Sequence, residues 1–590
     1  MSRRGQLIRR GETIEMPDGR LIQSFSFRHV LFQEVACDRQ GAARRTKSHA
    51  AVAERLGNIF AAHLALVASA LAYHYVHAGL WPQAIRFLRM TARTAMQRFA
   101  LREASTLLEQ AIQLCRNLPT NERGLTELEL LEELAHIYLG RFDLRAEAAY
   151  QRLTRLAHDV GRVDVEARAM IGLGYFISWT DRDRSLDVMS CALSRSTAVV
   201  DPVQRARIRC SAHGWRSWAQ GWNAGDADGF EVAIEELRNL GDPVALAASQ
   251  VEHSLILFPS ARYMEATDSV DIGFATLLEH VLDAWVDLSL PLWMIRLGPP
   301  WALMSAGRFG DALERFASGF AAFENNGDVR RGATLRLYHA FVFERMHDHQ
   351  AALNILDDTV ARIKEGNISF SPNEVTIELV IRGLAQLGLG QVEIALEHLK
   401  AARAEMDARD TLTSWYWRLA GEWGMTDALL LTGDLVEAEA CAHKFQERAC
   451  AIEERSWRAL AAEACARVAL AAENPMRART YLAQAWGEIK GYDAALVRWR
   501  LYSVDASISD KFADTQSASR HRKSQADELE ALAASLPTNH ASRDLLLMAQ
   551  PISSSSAALC PQTSVGEALR SMTDGLPPLL GQNVDARPLA

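Results

Sequence analysis

From Ala100 to Cys115 the chain reads ALREASTLLEQAIQLC. Leu101, Ala104, Leu107, Leu108, Ala111, Ile112 and Cys115 recur at intervals of three and four, which places them on one face of a helix. Stretches of the same kind, rich in Ala, Leu, Glu, Arg and Gln, fill most of the sequence. Short punctuators divide them: AGLWP (78–82), LGRFD (139–143), AGDADG (224–229), AGRFGD (306–311), GLGQ (388–391), TGDL (432–435) and AENP (472–475). Each stands between two runs of helical length. The pattern predicts helices paired into hairpins.

The hairpins repeat. After a punctuator comes a small residue, an apolar residue four later, and a small or apolar residue three after that. The sets are Ala312, Phe316, Gly319; Ala352, Leu356, Thr359; Ala395, Leu399, Ala402; Ala438, Ala442, Phe445; and Ala478, Leu482, Ala485. Their leading alanines are 40, 43, 43 and 40 residues apart. Earlier sets stand at Ala104, Leu108, Ala111 and at Ala146, Tyr150, Leu153, and weaker ones near Leu186, Gly229 and Ala266. A small residue early in a second helix lets the first helix approach, and the apolar residue one turn later fills the groove between hairpins. No hairpin buries its apolar face alone, so a stack forms one continuous core.

In LAYHYVHAGLWPQAIRFL, the residues Leu71, Ala72, Tyr75, Ala84 and Leu88 resemble the tetratricopeptide repeat. The leading Trp and closing Pro of that repeat are mostly missing, and the period exceeds its usual length. The expected fold is all-α, a tetratricopeptide-like helical-hairpin solenoid with a small winged-helix-like remnant at the N-terminus. The expected divisions are a winged-helix remnant and connecting helix (1–57), N-terminal repeats (58–160), degenerate repeats (161–300), regular repeats (301–502), a linker and terminal helix (503–549), and a disordered tail rich in Ser and Pro (550–590).

The remnant is read in PDGRLIQSFSFRHVLFQEVA. LIQSFSF alternates like a strand and FRHVLFQEVA like a helix. With Phe25, Phe27, Arg28, His29, Leu31, Gln33, Glu34 and Val35, then Arg44, Arg45 and His49, the segment resembles the junction of bacterial STAND-type predicted ATPases. Those are linked to adenylate-cyclase-like or transcriptional-regulator domains. There a nucleotide-binding module ends in a winged helix and a repeat sensor follows. The phosphate-binding loop of that family has no counterpart here, so its ATP hydrolysis is not carried over. The resemblance implies the sensor part, a non-enzymatic scaffold for a protein, a peptide or a small inducer. The alternative is the regulatory half of a split switch, acting with an ATPase or cyclase-like module in trans.

Composition narrows this further. The 590 residues are 49% hydrophobic and 23% charged, too long for one compact core and ordinary for a folded chain. A net charge of −9 argues against direct nucleic-acid binding by the whole chain. The eight cysteines form no CxxC pair and fit a reducing compartment. No secretory signal or membrane-spanning run is evident, so the expectation is a cytoplasmic protein without cofactor or metal.

Three local features are candidate chemistry. GAARRTKS (41–48) has the length of a phosphate loop, but Thr46 stands where glycine is needed, so a helix start with exposed basic residues is favoured. His74 and His77 have a spacing that metal ligands use, without an evident third ligand. Trp215, Trp218 and Trp222 fall at helical spacing, and Trp415, Trp417 and Trp423 make a looser group. They read as core or, functionally, as an aromatic wall on a concave surface suited to partner capture.

Overall fold

The computed structural model describes residues 8–15, 21–98, 100–280, 289–325, 329–366, 368–492 and 494–551. The tail expected beyond Gln550 lies outside the described residues from position 552 on. The chain divides into two compact units, Met1–Ala169 and Met170–Ala590.

The first unit opens with two antiparallel strands, β1 (Ile8–Glu15) and β2 (Leu21–Phe27), paired from Ile8↔Phe27 to Glu15↔Leu21 with a bulge between Arg10 and Thr13. Then come α1 (Val30–Asp38), α2 (Ala42–Ile59), α3 (Ala68–His77), α4 (Trp81–Gln97), α5 (Leu101–Leu114), α6 (Thr120–Gly140), α7 (Arg145–Asp159) and α8 (Val163–Ser178), the last running on into the second unit. A hairpin and one helix are less than a winged-helix domain. Gly41 stands at the N-cap of α2, so GAARRTKS is a helix start, with Arg44 and Lys47 exposed and Arg45 half-buried.

The second unit is a helical-hairpin solenoid of the tetratricopeptide-like kind. After α8 and α9 (Arg182–Ser196) the hairpins are α10 (Pro202–Gln220) with α11 (Ala224–Leu240), α12 (Pro243–Leu257) with α13 (Tyr263–His280), and α14 (Ser289–Ser305) with α15 (Phe309–Asn325). Next are α16 (Val329–Arg345) with α17 (His349–Glu365), α18 (Pro372–Gly388) with α19 (Val392–Ala408), and α20 (Ser414–Thr432) with α21 (Leu435–Cys450). Last are α22 (Arg455–Ala471) with α23 (Pro475–Glu488), α24 (Ala495–Lys511) with α25 (Thr515–Ala534), and the short α26 (Ser542–Leu547). The polar stretch 503–519, expected as a linker, is helical on both sides of a short turn. Burial of Val504 and Ile508 on α24 and of Ala518 on α25 ties it to the stack.

The two helices of a hairpin differ in burial. In α22, Trp457 and every residue from Ala459 to Val468 are buried, whereas α23 buries only Ala478, Leu482 and Ala485. The repeat positions read from the sequence are this narrow stripe. Ala312, Phe316, Ala352, Leu356, Thr359, Ala395, Ala402, Ala438, Phe445, Ala478 and Ala485 are all 0% exposed. The stripe continues through the region read as degenerate, at Ser185, Met189, Ala192 on α9, at Asp226, Phe230, Ala233 on α11, and at Ala266, Val270, Gly273 on α13.

Each hairpin also touches the one five further along. The Arg182 amide donates to Asp410 O at 2.8 Å and the Leu412 amide to Ser178 O at 2.7 Å. Trp218 meets Trp415 at 5.7 Å between ring centres. The Tyr263 hydroxyl donates to Glu454, the Phe309 amide to Ser535 Oγ at 3.2 Å, and Ser542 Oγ to Asp348 Oδ2 at 2.8 Å. The solenoid therefore winds with about five hairpins per turn, and successive turns are in contact. Gly310 serves that contact, since a Cβ there would stand 2.1 Å from the Ser535 carbonyl oxygen.

Candidate functional site: the interior of the second unit

The first helices of the hairpins bring their inner faces together. In the first part of the turn these faces carry rings. Trp301 on α14 lies 5.5 Å from Trp218, 4.7 Å from Phe258, 4.7 Å from Tyr338 and 4.9 Å from Tyr416. Such pairs contribute about 0.5–1.5 kcal/mol each beyond their buried area. A cavity among Tyr175, Trp215, Trp218 and Trp301 holds about 30 Å³, a water's worth of space.

The sequence-derived tryptophans divide here. Trp215 and Trp218 on α10 and Trp415 and Trp417 on α20 join this aromatic core, at 1%, 5%, 8% and 0% exposure. They form packed interior, not an open wall. Trp222 does not join them. The helix ends at Gln220, Gly221 turns the chain with φ +80°, and Trp222 packs instead against the cluster of Phe230 and Ile234 between α10 and α11. A Cβ on Gly221 would meet the Trp415 ring at 2.9 Å, so this turn also needs glycine for space.

Further along the same interior the character changes. A cavity of about 680 Å³ opens between α16, α18, α20, α24 and α26. This is within the roughly 300–1,000 Å³ range of ligand pockets. Leu384, Leu387, Val392, Leu431, Leu545 and Met548 give it an apolar wall, and Glu344, His347, His349, Asp427 and Arg500 a polar one. Glu344, His347, Trp423 and Arg500 also border a smaller recess of about 60 Å³ that leads toward Tyr416, Trp457 and Trp499.

Behind the polar wall lies a buried charge network. Asp427, Glu463, Arg467 and Arg500 are 2%, 0%, 7% and 5% exposed. Arg467 Nη2 pairs with Asp427 at 2.5 Å, and its Nε donates to Glu463 Oε1 at 2.9 Å. Arg500 reaches Glu463 only at 3.3 Å and Asp427 at 3.9 Å. Its Nε and Nη2 make no hydrogen bond, nor does His349 Nδ1 or the Trp423 indole N–H. The Arg345 and Arg500 guanidiniums both stack on Trp423, at 4.4 and 4.8 Å from its ring, and Arg345 Nε donates to Glu344 at 2.6 Å.

These environments shift the ionisations apart. Burial acts against the charge of Arg467, but Asp427 and Glu463 more than offset it and its pKa rises. Burial prevails at Arg500, whose pKa falls. Burial also raises the Asp427 carboxyl against the pull of both arginines. It pushes His347 well down, helped by His349, Arg500 and Arg345, so that ring is neutral at pH 7. His347 also holds φ +60° in the turn between α16 and α17, a conformation that disfavours side chains. The cavity offers apolar surface beside a buried charge network in which Arg500, Asp427 and Glu463 all keep atoms without hydrogen bonds, a setting that suits binding.

The remaining candidates lie in the first unit. His49 of α2 stands with His74, Nδ1 to Nδ1 at 2.9 Å, and stacks on His77 at 5.0 Å, a neighbour the spacing of His74 and His77 alone does not show. Among the described residues no group of three or more His, Cys, Asp or Glu is placed to hold a metal ion. Of the junction residues, Phe27 ends β2, Arg28 and His29 form the bend, and Glu34 is exposed on α1, which also carries Gln33. The His29 ring accepts the Leu31 amide at 3.2 Å. No described helix is long and apolar enough to cross a membrane.

No known protein family matches the chain by sequence, and no curated protein does. Solved structures align with it at low sequence identity. A Rap protein complexed with Competence and Sporulation Factor aligns with a TM-score of 0.48 and 10% identity, over 63% of this chain and 99% of that one. NprR in complex with its cognate peptide NprX aligns at 0.44 and 12%, over 63% and 99%. Yeast Tom70 aligns at 0.31 and 10%, over 76% and 98%.

Proposed function

We propose that the chain is a non-enzymatic sensor scaffold that takes a peptide, or a small inducer, into the 680 Å³ cavity of its second unit. The cavity itself carries this reading. Around Trp301 the interior is packed with rings, and further along the helices leave a ligand-sized space walled by aliphatic side chains and buried charge. The tryptophan core is then the frame that holds the cavity's walls. The test is affinity selection of a synthetic hexapeptide library on the purified chain, read by mass spectrometry. Val392, half-buried at the cavity wall, provides the control. Val392→Trp fills the space and is expected to release the retained peptides. Peptides held equally by wild type and variant, or none held, overturn the reading.

A second reading follows the N-terminal resemblance: this is the sensor part of a STAND-type regulatory ATPase, whose nucleotide module is supplied in cis or in trans. The observation favouring it is the exposure, among the described residues, of large apolar side chains around the hairpin and α1: Leu21 at 70%, Phe25 at 66%, Val30 at 60% and Leu31 at 56%. Exposed apolar residues gathered in one segment mark interaction sites. Coding sequence next to this reading frame decides it. A Gly-x-x-x-x-Gly-Lys-Ser/Thr module ending beside Met1 is expected, and unrelated DNA there removes the reading.

A further inference from the structure

The atoms without hydrogen bonds in and behind the cavity's polar wall are of both kinds. Arg500 Nε and Nη2 and the Trp423 indole N–H are donors, and Asp427 Oδ1 and Glu463 Oε2 are acceptors. The charges already answer one another, since Arg500 pairs with Glu463 at 3.3 Å and with Asp427 at 3.9 Å. A charged guest would upset that balance in a buried place, whereas an uncharged one whose groups both donate and accept can meet either kind. The apolar wall includes the chain's own C-terminal stretch. Leu545 and Met548 line the cavity while 39% and 67% exposed, so they present bare apolar surface, and Gln550 lines it too. This stretch is pinned, because Ser542 Oγ donates to Asp348 Oδ2 at 2.8 Å and Gln525 Nε2 to Gln550 Oε1 at 3.1 Å. The described residues end one position later, at Pro551. The sequence continues ISSSSAALC, Ile552 to Cys560, and no charged residue or histidine stands between Pro551 and Glu567.

We propose that the cavity's resident occupant is the chain's own segment Ile552 to Cys560, with its serine hydroxyls and backbone amides on the polar wall around Arg500 and Asp427 and Leu559 on the aliphatic wall. Nine residues extend to about 30 Å, so the segment enters from Gln550 with length to turn. Its four serines supply groups that donate and accept, and Ile552, Ala557, Ala558 and Leu559 supply apolar surface. A tether this short holds the segment at an effective concentration of about 1 mM. An incoming peptide must displace it, so the segment sets the threshold of the sensor. The inference rests on the cavity being the peptide site, and it adds how access to that site is regulated.

The experiment uses the full chain carrying Thr432→Cys, at a position that lines the cavity, together with the native Cys560. Mild oxidation with diamide is expected to join the two in an intramolecular disulfide, mapped by mass spectrometry, because that bond needs the two Cα atoms within about 7 Å. Val436→Cys, at an 82% exposed position of α21 that does not line the cavity, is the control and should not join Cys560. Adding Val392→Trp to Thr432→Cys should remove the link by filling the space. Leu559→Asp puts a charge in the segment and leaves every described residue in place. The hexapeptide library is expected to bind that variant about tenfold more tightly than wild type, the competition set by a segment of about 0.1 mM intrinsic affinity held at about 1 mM. Equal links at 432 and 436, or none at 432, overturn the inference. Peptide affinity unchanged by Leu559→Asp overturns it too and leaves the cavity reading intact. A selective link at 432 with no peptide held by either chain supports the resident segment and removes the exchangeable peptide. No link and no peptide held by either chain removes both the inference and the reading beneath it.

Discussion

Two stretches of one interior solve the same packing problem in opposite ways. Around Trp301 the inner faces of α10, α14, α16 and α20 meet ring on ring and leave about 30 Å³. Around Arg500 the inner faces of α16, α18, α20 and α24 meet through charge and leave about 680 Å³. Backbone geometry is shared, because the hairpins repeat. The difference lies in side chains: indoles interdigitate, whereas buried guanidiniums and carboxylates must keep to one another and cannot fill volume. A solenoid can thus place a cavity wherever its inner stripe turns from aromatic to ionic.

The contrast breaks first at Trp301, 2% exposed at the centre of the rings. Trp301→Ala is expected to cost about 3–5 kcal/mol in urea denaturation. On the charged side, Asp427→Ala is expected to cost about 3 kcal/mol by the same measurement, because it leaves Arg467 short of a partner. A loss under about 1 kcal/mol would show that the network does not bear on stability.

A third test uses pH. Glu454, fully buried and accepting from Tyr263 and the Trp457 amide, is pushed up to about 8, chiefly by burial. The folded chain then holds a proton that the unfolded chain releases near 4.5. This contribution is complete below that pH and is lost as pH rises through about 8. Stability should fall by up to about 1.4 kcal/mol per pH unit across the window relative to Glu454→Gln, which keeps the contact without the proton. Parallel pH profiles for the two would refute it. Gly221→Ala should cost about 1 kcal/mol or more, from positive φ and the approach to Trp415. The smallest effect is expected for Val392→Trp, within about 1 kcal/mol of wild type, since it fills space and displaces no core residue.

Much of the repeat was legible because its stripe is local. Ala312 to Ala485 announce it in alanine. The stripe fades from view at Ser185 and Asp226, where other residues hold the small position. Asp226 is tolerated there because His213 at 2.8 Å and Arg216 at 3.1 Å bond its carboxylate. The turns fade in the same way. Gly307, Gly390 and Gly433 mark theirs, but Ala261, His347 and Ala513 hold the same left-handed conformation without a glycine to signal it. The helical spacing of Trp215, Trp218 and Trp222 misled at the third, because Gly221 ends the helix before it. The cavity was not legible at all. Arg500 and His347 are ordinary residues of separate repeats, and only the winding of the solenoid brings them together.

That winding has a mechanical consequence. Repeat chains whose units touch only their neighbours behave as one-dimensional arrays and come apart unit by unit. Here Arg182 with Asp410, Tyr263 with Glu454 and Phe309 with Ser535 stitch one coil to the next. Pulled from its ends, such a chain should resist as a coil and then yield in a few large, cooperative steps instead of a regular sawtooth. Local strain at one hairpin would be shared with a hairpin about 200 residues away in sequence.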